Sequence, residues 1–318
     1  MTTPTATGPL PGGPPSVGLR VGVDIGGTKT EAVLVAADGA IAGRVRLPTG
    51  FGSTEVVATA VAAVTGLATE AGISPHEFAA IGVGIPGTID TAAGRVSHAI
   101  NLGVESLELG TELERALGIP VRVENDVNAA ALGAFYALDQ PADASMGYLN
   151  LGTGLAAGLV LRGELWRGSR GAAGEIGHIL VVPAGPLDLD GQHGGLEVMA
   201  SGSGIARQWA TGEENAVSAM LAAADAGDER AVEIRRRLFD GVASAVRILV
   251  LTVDVDLVVI GGGIGSLGDR LMDGVNDVLH GWSTKSPFIQ SLDLAARVRL
   301  LPPGTPVAAL GAAHLGGS

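Results

Sequence analysis

The chain has 318 residues, room for two domains or one large one, and 47% of it is apolar, enough to bury sizeable cores. Twenty basic and 33 acidic side chains leave a net charge of −13, aromatics are 3%, and cysteine is absent. These figures exclude disulfides, thiolate catalysis and thiolate-bound zinc, and they argue against nucleic acid or anionic membranes as partners. Glycine is the outlier, with 50 residues and no collagen period, about twice the ~7% of ordinary chains.

No apolar run approaches the roughly 18 residues of a membrane-spanning helix. Met1 to Ser16 is rich in Pro, Gly and Thr and has no signal-like apolar stretch, so residues 1–18 are expected to be a disordered tail on a cytoplasmic protein.

Arg20–Ile25 alternates as a strand and runs into Gly26-Gly27-Thr28. Thr30–Ala36 and Ile41–Leu47 complete an antiparallel meander around the Asp38-Gly39 turn. Ser53 is placed to N-cap a helix that ends at Ala71 before Gly72. Ala79–Ile85 reads as a buried strand, Glu105–Leu117 as a helix, Pro120–Glu124 as a strand, and Asp126–Leu138 as a helix. The polar stretch Gln140–Ala144, with Pro141, is the expected hinge.

The second half repeats the opening. Ser145–Leu151, the Gly152-Thr153-Gly154 turn, Leu155–Leu161 and a short strand after Arg162-Gly163 mirror residues 21–41 in pattern, which points to an internal duplication. Helices follow over Ser203–Gln208, Ala216–Ala226 and Glu229–Leu251. A buried strand Leu257–Ile260 enters Gly261-Gly262-Gly263, and a last helix covers Val307–Leu315. The expected fold is α/β with mixed sheets, two related βββαβα halves about a cleft. The small domain is expected over 19–138 plus 302–318, the larger over 139–301.

Five motifs carry chemistry. In Asp24-Ile25-Gly26-Gly27-Thr28-Lys29 a strand delivers a carboxylate able to hold Mg²⁺, and glycines then let the backbone approach an anion. An ordinary hairpin turn is the plain alternative. Gly152-Thr153-Gly154 is weak alone and gains from matching that turn. In Glu124-Asn125-Asp126 the Asp126 carboxylate is placed to accept the proton of an attacking hydroxyl, or equally to cap the helix it opens. Gly174-Glu175-Ile176-Gly177-His178 and the downstream Glu197 offer groups fit for sugar hydroxyls, or a structural pair. Gly261–Gly263 lets a ribose or flat ring lie against backbone, or is a plain strand-to-helix turn.

Together with Gly84-Ile85-Pro86-Gly87 and Ser201-Gly202, these motifs occur in the order seen in the ROK family of sugar kinases and repressors, and the chain resembles that family from Leu19 onward. The resemblance implies the actin/hexokinase-like (ribonuclease H-like) fold and ATP- and Mg²⁺-dependent phosphorylation of a hexose at a primary hydroxyl, with glucose as default substrate. It implies Asp126 as the base. Asn101, Asn125, Asp126, Glu175, His178 and Glu197 become sugar contacts. Asp24, Gly26, Gly27, Thr28, Lys29, Gly152, Thr153, Gly154, Gly261, Gly262 and Gly263 become the ATP side, with Asp24 tied to Mg²⁺ through ATP. A homodimer is also implied. An N-acetylhexosamine kinase, a sugar-sensing regulator, another phosphotransferase, and polyphosphate as donor stay open.

One departure stands out. Many members carry Cys-x-Cys-Gly-x-x-Gly-Cys-x-Glu, and here Asp188, Asp190 and Gly195 replace the cysteines, so no structural zinc is expected. Asp188, Asp190, His193 and His178 form an alternative oxygen-rich metal set, and a solvated acidic loop is the plain reading. No helix-turn-helix reader fits the 18 residues before the first strand.

Overall fold

The computed structural model describes residues 18–188, 191–213 and 215–315, so all but the last residue of the expected tail over 1–18, and Asp190, lie outside the described residues. The chain divides into two compact units, Met1–Ala137 with Pro306–Ser318, and Leu138–Thr305.

The first unit opens with the meander β1 (Arg20–Ile25), β2 (Lys29–Val35) and β3 (Ile41–Pro48). Helix α1 (Ser53–Ala71) follows. Its N-cap is Gly52, without a side-chain bond, and Ser53 is already the first helical residue, one position inside its expected place. Gly72, in the left-handed region, stops it as expected. Next come β4 (Ala80–Ile85), the small strands β5 (Thr88–Asp90), β6 (Arg95–Ala99) and β7 (Val104–Leu107), α2 (Leu109–Leu117), β8 (Val121–Asn125) and α3 (Asp126–Ala137). The helix expected over Glu105–Leu117 is therefore split. Its first residues pair with β6 as a strand, because a cross-strand partner outbids their weak local preference.

The second unit contains β9 (Met146–Leu151), β10 (Leu155–Leu161), β11 (Glu164–Trp166), α4 (Leu196–Ala200), α5 (Gly202–Trp209), α6 (Ala216–Asp225) and α7 (Glu229–Val253). It continues with β12 (Leu257–Gly261), α8 (Gly262–Gly265), α9 (Asp269–Ser283), α10 (Pro287–Leu292) and β13 (Val298–Leu300). The chain then returns to the first unit as α11 (Val307–His314).

The two large sheets have the same plan: β3-β2-β1-β4-β8 in one and β11-β10-β9-β12-β13 in the other. In each, an antiparallel meander leads by its first strand into parallel neighbours. The duplication read from the turns is thus present in the sheet order. The β5-β6-β7 sheet belongs to the first unit alone.

Each unit has its own core. In the first, Val21, Val23, Ile25, Ile81 and Val83 pack with Val56, Ala60, Val64 and Leu67 of α1. In the second, Leu149, Leu151 and Ile260 share a cluster with Leu238, Val242, Ala245 and Leu249 of α7. Asp228 begins α7 by accepting from Ala231 N at 2.8 Å.

The opposite face of the first sheet is covered by α11 and α3 at backbone contact. A Cβ on Gly22 would overlap the Ala309 carbonyl oxygen, and one on Gly82 that of Ala312. A Cβ on Gly133 of α3 would overlap the Val307 oxygen, and one on Gly311 of α11 that of Ala129. These glycines are present for closeness, since none has a positive φ. They lock α3, which begins at Asp126, against the sheet and the last helix.

Candidate functional site

In the first unit, strand register lines up a row of side chains on the face that carries Gly22. Arg46 pairs with Glu31, Glu31 with Asp24, Asp24 with Gly84, and Gly84 with Glu124. Directly opposed residues share a face, so three acids stand in one line. Gly84 is the gap. A Cβ there would lie 3.6 Å from Asp126 Cα and 3.1 Å from Ala129 Cβ, so the missing side chain lets the start of α3 down onto the row.

The three acids are handled differently. Glu31, 5% exposed, accepts from Arg44 Nε at 2.7 Å and from Arg46 Nη2 at 2.7 Å. Burial pushes its carboxyl up, but the two guanidinium groups overcome that and hold it below the usual carboxylate range. Glu124, buried, accepts from Asn128 Nδ2 and from Asn125 N, each at 3.0 Å. Asp24 has the most acidic surroundings. Burial first, then Asp126 and Glu31, push its carboxyl up to about 7, with Lys29 opposing. A bound cation would relieve that excess of negative charge, so Asp24 fits the cation role; Mg²⁺ is held by one or two carboxylates plus phosphate oxygens and waters.

Asn125 and Asp126 both meet the start of α3. Asn125 Oδ1 accepts from Val127 N at 2.9 Å and Asn128 N at 3.2 Å, so it supplies the cap of α3. Asp126 Oδ1 takes the Val127 N–H at 3.0 Å. The Asn125 amide nitrogen reaches Gly87 O at 3.4 Å. Its oxygen is thus committed to the helix, and the donor end faces the Pro86-Gly87 turn.

The Gly26–Lys29 turn is closed by Gly26 N to Lys29 O at 2.9 Å, with Thr28 and Lys29 exposed. Gly27 borders Asn101, whose Nδ2 lies 3.3 Å from where a Gly27 Cβ would stand. The structure therefore brings Asp24, Gly26–Lys29, Asn101, Asn125 and Asp126 to the carboxyl ends of β1, β4 and β8. Ligands of open α/β sheets lie at such ends.

In the second unit the matching strand position is Asn150, which pairs with Gly261 as Asp24 pairs with Gly84. The matching position in the second unit is thus uncharged. Gly152 N donates to Gly154 O at 3.0 Å, closing the second turn. The first residues of α5 dock on it, Gly202 N to Gly152 O at 2.8 Å and Ser203 N to Thr153 O at 3.0 Å. This turn and the Gly261–Gly263 turn border one cavity of about 450 Å³, within the usual range for small-molecule sites. Thr153, Ser203, Asn215, Ser218, Gly263 and Ser266 contribute to its wall. Gly262, at φ 80°, turns the chain from β12 into α8, and Gly263 beside it faces open space. Ser203, Asn215 and Ser266 escaped the sequence reading. Asn215 left a signal as the N-cap of α6, where its oxygen accepts from Ser218 N at 3.1 Å.

Glu175, Ile176, Gly177 and His178 form a tight turn with Glu175 and His178 exposed. Gly174, at φ 95°, receives Ala157 N on its carbonyl at 2.8 Å, and a Cβ on Gly177 would overlap Leu155 O. Glu197 stands alongside. Its Oε2 accepts from Leu155 N at 3.0 Å, and its Cβ lies 3.3 Å from the Gly177 Cβ position. The unit thus brings Glu175, His178 and Glu197 together next to the Gly152–Gly154 turn.

The neighbouring loop is held by hydrogen bonds among its described residues. Asp188 Oδ1 accepts from Gln192 N at 2.7 Å, and His193 Nδ1 bonds Gly185 O at 2.8 Å. Gly194 N donates to Pro186 O and Val181 N to Gly194 O, each at 2.9 Å. No three potential ligands gather among the described residues. Asp188 and His193 thus each hold a backbone group of the loop, and Asp190, the third loop member of the alternative metal set, lies outside the described residues.

A model of the ROK family matches residues 20–315. A glucokinase of Halalkalibacterium halodurans is 32% identical over 271 residues, 79% of this chain and 82% of that one. An N-acetylmannosamine kinase of Escherichia coli is 32% identical over 86% of this chain and 91% of its own. The crystal structure of a ROK family glucokinase from Streptomyces griseus in complex with glucose and AMPPNP superposes with a TM-score of 0.72 at 31% identity, covering 94% of this chain and 99% of that one.

Proposed function

The chain belongs to the ROK family and is an ATP-dependent sugar kinase of the actin/hexokinase-like fold, and we propose that it phosphorylates a hexose, glucose foremost, at a primary hydroxyl with Asp126 as general base. The observation that carries the reading is the pairing of Asp24 and Asp126 at one sheet end. Asp24 sits in surroundings that favour a cation, and Asp126 starts the helix beside it.

Asp126 takes the proton of the hydroxyl. That oxygen bonds the γ-phosphorus of ATP while the bond to the β–γ bridging oxygen breaks and ADP leaves. The proton passes to solvent after the sugar phosphate departs. Asn125, as the cap, and Glu124, through Asn128 and Asn125 N, hold the start of α3 so that Asp126 keeps its place. The Gly26–Lys29 and Gly152–Gly154 turns bind phosphate oxygens, and the cavity walled by Ser203, Asn215 and Gly263 takes the nucleoside. Magnesium, when bound, neutralises charge on the transferring group, and Asp24 is the residue that would hold it. Glu175, His178 and Glu197 bind sugar hydroxyls. A cytoplasmic homodimer completes the reading.

An N-acetylmannosamine kinase is the second reading, favoured by the Escherichia coli relative at the same 32% identity over a larger share of the chain. An ADP-release assay over glucose, mannose, fructose, N-acetylglucosamine and N-acetylmannosamine chooses between them. Replacing Asp126→Asn should lower kcat by about 10²- to 10⁴-fold with thermal stability kept. A rate near wild type would place the base elsewhere.

A further inference from the structure

Among the described residues, the most exposed large apolar side chains are Ile100, at 82%, and Phe51, at 74%. Both belong to segments tied to the proposed site in the first unit. The Thr49–Gly52 segment is fastened on one side to the first phosphate turn, with Thr49 N donating to Thr28 O at 3.2 Å and the Thr30 and Thr49 hydroxyls 2.8 Å apart. On its other side Gly52 N donates to Leu102 O at 2.8 Å. Leu102 follows Asn101 and Ile100 in one turn of 3₁₀ helix.

The Phe51 ring is seated rather than loose. It lies on Gly103, where a Cβ would come within 2.5 Å of the ring edge. Gly103, at φ 66°, is in the left-handed region, so backbone conformation and ring seating both call for glycine there. A ring held on one side and bare on the other is an unfilled half of a contact. Apolar patches rimmed by polar residues mark ligand-binding surface, and small-molecule sites combine aromatic walls with a few placed polar groups. The polar groups here are Asn101, in the same turn as Ile100, and Asn125 and Asp126 at the same sheet end.

We propose that Phe51, together with Ile100, is the apolar wall against which the C–H face of the hexose packs, which makes Phe51 a specificity-determining residue. A pyranose presents hydroxyl edges and an apolar C–H face. Asn101 takes an edge and the aromatic ring takes the face. Polyhydroxylated acceptors without such a face, glycerol among them, are disfavoured. The inference rests on the sugar-kinase reading above.

The test uses Phe51→Ala and Phe51→Trp in the full chain. Phe51→Ala should raise KM for the preferred hexose by about tenfold, leaving kcat and KM for ATP within about twofold, since the assignment gives the ring the C–H face of the sugar and neither the reacting hydroxyl nor the nucleotide. Phe51→Trp should keep a near-native KM and show an emission change on adding sugar without ATP, measured against the wild-type tryptophans. An unchanged KM in Phe51→Ala for every accepted sugar, or a Phe51→Trp emission indifferent to saturating sugar, overturns the assignment. Wild-type protein that phosphorylates no hexose would overturn the kinase reading instead, and the emission titration would still decide the role of Phe51.

Discussion

Asp24 and Glu31 stand opposite each other across the β1–β2 pair, two acids on one face, and they differ in the cations they own. Glu31 is clamped by Arg44 and Arg46. Asp24 has Lys29 against the combined effect of burial, Asp126 and Glu31, and its carboxyl rises to about 7.

A pH dependence of stability follows. With its folded pKa raised above the unfolded value of 3.8, Asp24 holds a proton in the folded chain that the unfolded chain releases. Its contribution is therefore full below pH 3.8 and is lost as pH rises to about 7. Asp24→Asn should remove this slope and exceed wild type in stability at pH 8, by a difference on the order of 4 kcal/mol. Urea melts from pH 4 to 8 without divalent cations measure it. Parallel curves for the two proteins would refute it.

The α3–α11 contact should be intolerant of one added methyl. Gly133→Ala and Gly311→Ala each place a Cβ inside a carbonyl oxygen of the facing helix. Either should cost at least about 3 kcal/mol, the scale of overpacking in a tight core. Gly281→Ala, on an open face of α9 where a Cβ meets nothing within 4 Å, is the control and should be neutral or stabilising. Thermal melts compare the three.

Neighbouring glycines of the Gly261–Gly263 turn should behave differently. Gly262 has φ 80° and a Cβ there would stand 2.5 Å from Leu151 O, so Gly262→Ala should destabilise the fold. Gly263 has open space around it and borders the cavity. Gly263→Val should fold normally, raise KM for ATP more than about tenfold by filling the cavity, and leave KM for sugar unchanged. Steady-state kinetics with each substrate varied separate the two effects. An unaltered KM for ATP would place the nucleoside elsewhere.

Metal removal should be silent in the loop around Asp188 and His193. Its contacts are protein hydrogen bonds, with Gln192 N on Asp188 and Gly185 O on His193. Chelator treatment should leave the melting temperature unchanged, and the purified protein should contain far less than one zinc per chain. Stoichiometric zinc, or a melting temperature that falls with chelator, would contradict this.

Order and type of motif were legible from one sequence. Asp24 before Gly26-Gly27, the second turn at Gly152–Gly154 and the buried strand entering Gly261 each use short-range chemistry: strand alternation, a glycine turn, a terminal carboxylate. The repeat of that pattern anticipated two sheets of the same strand order. The absence of cysteine was readable directly.

Register and packing were not legible, because they depend on residues far apart in the chain. The row Arg46–Glu31–Asp24–Gly84–Glu124 crosses five strands, and a slip of one residue in any pair would turn its side chains to the other face. The cap of α3 depended on backbone N–H positions: the sequence offered Asp126 for it, and Asn125 Oδ1 accepts from both Val127 N and Asn128 N. The turn at Ile100–Leu102 and the loop at Phe51 share no local signal. Leu102 O and the bare Cα of Gly103 join them, an association that exists only once the chain has folded.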